Sequence, residues 1–108
     1  SNNRTFHLAT PKFADQNKNI IRILFAELKK TNNWTQAHPQ ETADLLAPQL
    51  GVDPKVLRLA TERRNYTTVP IDAGIIQEQQ QIVEAFYKLG LIKNQVQVKD
   101  KVYGEALL

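Results

Sequence analysis

In 108 residues the sequence has no cysteine, no methionine, one tryptophan, two histidines and four isolated glycines. Without cysteine there is no disulfide and no thiol chemistry, so the redox compartment stays open. His7 and His38 lie far apart and form no metal-ligand cluster of the usual spacing. Gly51, Gly74, Gly90 and Gly104 never gather, which excludes a glycine-rich phosphate loop. No run approaches the ~18 consecutive apolar residues of a membrane span, and no apolar segment with a small-residue cleavage site is present. Methionine is missing even from residue 1. Ser1-Asn2-Asn3 is therefore expected to be a processing or artificial boundary, with any signal segment lost upstream.

The composition that remains, 42% hydrophobic and 23% charged, is that of a folding soluble domain and too apolar for a disordered chain. The length suits one domain, or a piece of one, burying over ~60% of its unfolded surface. Fourteen basic against eleven acidic residues leave a net charge of +3, spread without blocks. That balance argues only weakly for a nucleic-acid partner.

Along the chain, Phe6 and Leu8 alternate with Thr5, His7 and Ala9, the pattern of a short strand over residues 4–9. Thr10-Pro11 is a cap followed by proline at the first helical position. Ile20, Ile21, Leu24, Phe25 and Leu28 then form the apolar stripe of a helix expected to reach Lys30 and stop in Thr31-Asn32-Asn33. Pro39 starts another helix, which Pro48 should kink or end early, with Gly51 as its stop. Asp53-Pro54 caps a third, carrying Val56, Leu57 and Ala60 and reaching Arg63 and Arg64. After Asp72 a last helix carries Ile75, Ile76, Ile82, Val83, Phe86 and Tyr87, with Gly90 as a left-handed stop against which Leu91 can pack. Its glutamines read as a solvated face. From Lys93 to Tyr103, Val96 and Val98 alternate with polar residues, as in an extended tail or edge strand.

Candidate chemistry is sparse. A nucleophile and base would have to be assembled from Ser1, a threonine or Tyr66 with His7 or His38, and no spacing supports that. Glu78 and Glu84 stand six apart and share no helix face. The helices over 39–50 and 54–64 could form a helix-turn-helix, yet the second has no Asn or Gln, and its arginines lie at the end that does not read bases. Attention therefore falls on "ERRNYTTVPID", Glu62 to Asp72. Guanidinium groups fork onto sulfonate, phosphate or carboxylate, and helix N-termini at Pro11, Pro54 and Ala73 offer N–H groups to an anion. Equally, Arg63 and Arg64 could pair with Glu62 or lay their stems over apolar neighbours. Tyr66 and Trp34 could be half-buried anchors, and His7 a satisfied structural histidine.

The order of these landmarks carries a resemblance. "NWTQAHPQETADLLAPQLGVDPKVLRLATERRNYTTVPID" followed by "EQQQIVEAFYKLGLI", with "TFHLATPKFADQNKNIIRILFAEL" before them, closely resembles the C-terminal part of the substrate-binding proteins of aliphatic-sulfonate ABC importers, relatives of the taurine- and nitrate-binding proteins. The resemblance covers residues 5 to 102. It departs in length, because such proteins carry a further lobe and the first part of this one, and at the tail, where Val102-Tyr103 and "GEALL" replace a common valine-tryptophan.

The resemblance implies an α+β, mainly α chain: the C-terminal portion of a type II periplasmic-binding-protein fold, with one or two short strands and four to five helices. Residues 1–3 would be the boundary remnant, 4–103 the lobe segment and 104–108 a tail. It further implies a non-enzyme on the periplasmic or extracellular face, without cofactor or bound metal, that hands a small oxyanion such as an alkanesulfonate to a membrane permease. Arg64, Tyr66 and Thr10 are the expected ligand-binding residues. In this fold the ligand lies in a hinged cleft between lobes. Two other classes stand beside this reading. Enzymes of thiamine-pyrimidine synthesis resemble the same fold, and a free-standing helical interaction module would need no cleft. Without the rest of its lobe the chain is expected to self-associate through uncovered apolar faces.

Overall fold

The computed structural model describes residues 4–103. The chain is mainly helical, with five α-helices: α1 (Pro11–Gln16), α2 (Lys18–Ala37), α3 (Pro39–Leu50), α4 (Pro54–Arg63) and α5 (Ala73–Lys88), followed by a 3-10 turn at Val98–Lys101. It divides into two units. One comprises the chain up to Lys18 together with that from Pro70 onward, and the other is Asn19–Val69.

Asn19–Val69 is built on a hairpin of α3 and α4. Pro39 opens α3, and the glycine expected to close it does: Gly51 sits at φ 64° and its N–H donates to the Ala47 carbonyl at 3.0 Å. Pro48 does not end the helix early. Standing in the last turn, it forfeits only the bond its own N–H would have made, while Gly51 and Val52 both turn back onto Ala47. Asp53 caps α4 by accepting from the Lys55 N–H at 2.7 Å, with Pro54 next to it. The buried side chains of the hairpin are small: Thr42, Ala43 and Ala47 on α3 and Thr61 on α4. Leu45, Leu46, Leu50, Val56 and Leu59 remain exposed.

Helix α2 runs well beyond its expected end at Lys30. Thr31 and the asparagines after it are indifferent helix formers rather than breakers, and the Thr31 hydroxyl donates back to the Glu27 carbonyl at 2.9 Å. Trp34 is thus inside the helix, stacked on His38 with ring centroids 4.8 Å apart. The His38 Nδ1 lies 2.8 Å from the Trp34 carbonyl, which fixes the joint between α2 and α3.

In the other unit Thr10 caps α1, accepting from the Phe13 N–H at 3.2 Å, and Asp72 caps α5, accepting from the Ile75 N–H at 2.8 Å. Beyond α5, the N–H of Leu91 reaches the Phe86 carbonyl and that of Gly90, at φ 71°, the Tyr87 carbonyl, the paired bonds of a Schellman cap. Leu91 itself stays 65% exposed, so it does not pack back on the helix as expected. Replacing Asp72 by alanine should cost about 1 kcal/mol by removing the side-chain acceptor that caps this N-terminus. Urea titration with a helical signal checks this, and an unchanged midpoint would show that the cap is dispensable.

Neither expected strand forms, and no strand occurs among the described residues. Residues 4–10 have no regular structure, and Leu8, placed on the buried face of the alternation, is 93% exposed. Period-two patterning creates a face, but a strand also requires a neighbour to satisfy its backbone, and none is offered. Arg4 instead reaches Glu78 on α5, Nε to Oε2 at 2.9 Å and Nη2 to Oε1 at 3.4 Å. Hydrogen bonding to Glu78 pushes the guanidinium further up, and Glu78 is more than an idle surface charge. At the other end, Gln80 takes the place of a partner strand: its Nε2 donates to the Val96 carbonyl at 3.1 Å and its Oε1 accepts from the Val98 N–H at 3.0 Å. One glutamine of the supposed solvated face thus anchors the tail. The Tyr103 hydroxyl donates to Asp15, and that bond pushes the phenol's titration upward.

Candidate functional site

The Glu62–Asp72 stretch divides at Val69 between the two units, and its cationic part belongs to Asn19–Val69. Arg63 is the last residue of α4 and Arg64 its C-cap, in extended backbone at φ −93° and ψ 145°. The Arg64 N–H still donates to the Thr61 carbonyl at 3.2 Å. Its guanidinium carbon lies 5.8 Å from the centroid of the Tyr66 ring, a cation–π contact. Arg64 and Tyr66 are therefore brought together. Thr10 lies in the other unit, where its hydroxyl oxygen serves as the α1 cap.

The expected pairing of Arg63 or Arg64 with Glu62 is not made. Glu62 is taken by Arg58 one turn earlier, Nε to Oε1 at 2.9 Å, and Arg58 also donates to the Gln40 side-chain oxygen at 3.2 Å. Among the described residues neither Arg63 nor Arg64 forms an ion pair. Two of the helix N-termini that could have drawn an anion hold carboxylates instead: Asp53 caps α4 and Asp72 caps α5. An added anion there would meet like charge, so the positive potential of this stretch resides in its guanidinium groups.

Tyr66 is held from the far side. Its N–H donates to the Gln36 side-chain oxygen at 3.0 Å, and two residues on, the Thr68 hydroxyl accepts from the Asn32 side-chain amide at 2.5 Å. Both amides come from the part of α2 that sequence reasoning gave to a loop. The signal lay in their spacing of four on one helix face, legible only once the helix is carried through to Ala37.

A shallow groove between α3 and α4 is lined by Gln40, Pro54, Lys55, Arg58, Leu59 and Glu62. Of its two cations, Lys55 and Arg58, the latter is already engaged by Glu62 and Gln40. No cluster of three potential metal ligands occurs among the described residues, and no described helix is long and apolar enough to cross a membrane.

No family model matches the chain, and no solved structure does. The chain is similar to a protein of Escherichia coli (strain K12) that carries the name of an aliphatic sulfonates-binding protein, with 25% identity over 100 residues. That similarity covers 92% of this chain and 31% of the relative, so the chain spans about a third of the length of the curated protein it matches.

Proposed function

We propose that the chain is the C-terminal part of a solute-binding protein that captures an aliphatic sulfonate, or a related small oxyanion, outside the cytoplasm and passes it to an ABC permease. The observation that carries the reading is the similarity itself, which runs through 100 residues rather than one motif. The geometry is compatible with it. Among the described residues Arg64 forms no ion pair and lies against the Tyr66 ring, so its fork is available to a sulfonate, to which the Tyr66 hydroxyl could also donate; Thr10, in the other unit, is a separate candidate donor. The role is binding without chemistry.

The test is calorimetric titration of the longer polypeptide that carries this chain, beside the chain alone, with taurine, a longer alkanesulfonate, nitrate and a thiamine-type pyrimidine. Alkanesulfonate binding by the longer protein and none by the chain is the expected result. Arg64→Lys should weaken it about tenfold, because lysine keeps the charge and loses the fork. Binding of the pyrimidine alone would transfer the protein to the enzyme class, and full binding by the chain alone would place the whole site within these residues.

A further inference from the structure

The stretch after α4 leaves the helix in extended backbone at Arg64, carries no regular structure up to Pro70, and meets α2 at two hydrogen bonds. Asn32 and Gln36 are four apart, which separates them by ~6 Å along a helix axis. Their targets, Thr68 and Tyr66, are two apart, a span of ~6.6 Å in extended chain. The two rises agree, and the order is reversed, with the earlier helix residue bound to the later segment residue. The segment thus runs antiparallel to α2 and meets it at repeating contacts. One contact is to a backbone N–H and the other to a hydroxyl.

Upstream, the same segment is tied to α4 by the Arg64 N–H on the Thr61 carbonyl. Arg64-Asn65-Tyr66 is consequently pinned at both ends, by the helix cap on one side and the α2 amides on the other. That double attachment is what keeps the Arg64 guanidinium over the Tyr66 ring. We infer that Asn32 and Gln36 are positioning residues: a two-amide clip on α2 that holds Arg64 and Tyr66 as a preformed pair facing an oxyanion. The oxyanion part of this inference rests on the transport reading, whereas the clip itself does not.

The clip is read first without ligand, in the 108-residue chain, by NMR. In Gln36→Leu the Tyr66 amide should exchange about fivefold faster, and the Arg64 side-chain protons should lose the upfield shift imposed by the Tyr66 ring. Gln36→Glu retains an acceptor oxygen and should keep Tyr66 protected. Thr68→Val, which removes only the second contact, should also move the Arg64 shift toward its random-coil value. Unchanged exchange and shifts in Gln36→Leu would overturn the clip, whatever the protein binds. The ligand arm uses the longer polypeptide: Gln36→Leu should weaken alkanesulfonate binding about fivefold, and Gln36→Glu serves only the exchange arm because its charge would itself repel the ligand. Affinity unchanged in Gln36→Leu while Tyr66 loses protection would refute positioning of the site. No alkanesulfonate binding by the unaltered protein would refute the transport reading, with the exchange arm still deciding the clip.

Discussion

Replacing Ala47 by leucine should lower the unfolding free energy by about 1–3 kcal/mol, seen as a fall in the urea midpoint. The sign is opposite to the usual rule that a larger apolar residue strengthens a helix packed on a partner. Ala47 is 4% exposed and Ala43 fully buried, and the residue across from them that is equally buried is Thr61. Helices that meet through alanines and threonines approach closely, which leaves little room for the extra methyl and methylene groups of a leucine. The damage would not stop at the contact. Ala47 also supplies the carbonyl on which Gly51 and Val52 close the helix, so a shift at this position loosens the cap that turns the chain toward α4.

The companion change, Leu45→Ala, should alter the midpoint by no more than about 0.5 kcal/mol at low protein concentration. In a hairpin with its large residues inside, that truncation would cost about 2–5 kcal/mol. Leu45 is 62% exposed, so it has little burial to lose, and alanine is the better helix former. A large loss at Leu45 with tolerance at Ala47 would mean that the hairpin packs through the opposite faces.

The sequence made the local signals legible and concealed the long-range ones. Asp53, Asp72, Gly51 and Gly90 act through bonds to residues a few positions away, and each does what its type and place suggest. The mainly helical character followed from apolar spacing for the same reason. The strand expected around Leu8 and the edge-strand alternative for the tail fail because alternation specifies which face would be buried in a sheet, but says nothing of whether a sheet is there to receive it. At the candidate site, Arg64 and Tyr66 could be named from their chemistry. The Arg58–Glu62 pair, four apart on one helix, was open to the same local reading; what could not be seen was that Gln40 also holds Arg58, or that Gln36 and Asn32 hold the segment, since these pairings join residues 18 to 36 positions apart.

Association should follow from the same arrangement. The chain alone is expected to sediment as concentration-dependent oligomers and to bind a hydrophobic dye strongly, rather than behave as a monomer. The exposed apolar surface is extensive: within Asn19–Val69 alone, Ile20, Ile23, Leu24, Leu45 and Leu50 are each about half exposed or more. Charge does little to oppose contact, because a net +3 spread along the chain repels weakly and is screened by ordinary salt. Lysine at Leu45 and Leu50 together should shift the population toward monomer without unfolding the hairpin, since neither side chain is part of its buried contact. In a longer polypeptide whose further chain covered these faces, the tendency should vanish. Sedimentation of the 108-residue chain as a single monomeric species across the concentration range, with no dye binding, would show instead that these apolar faces are covered within the chain itself.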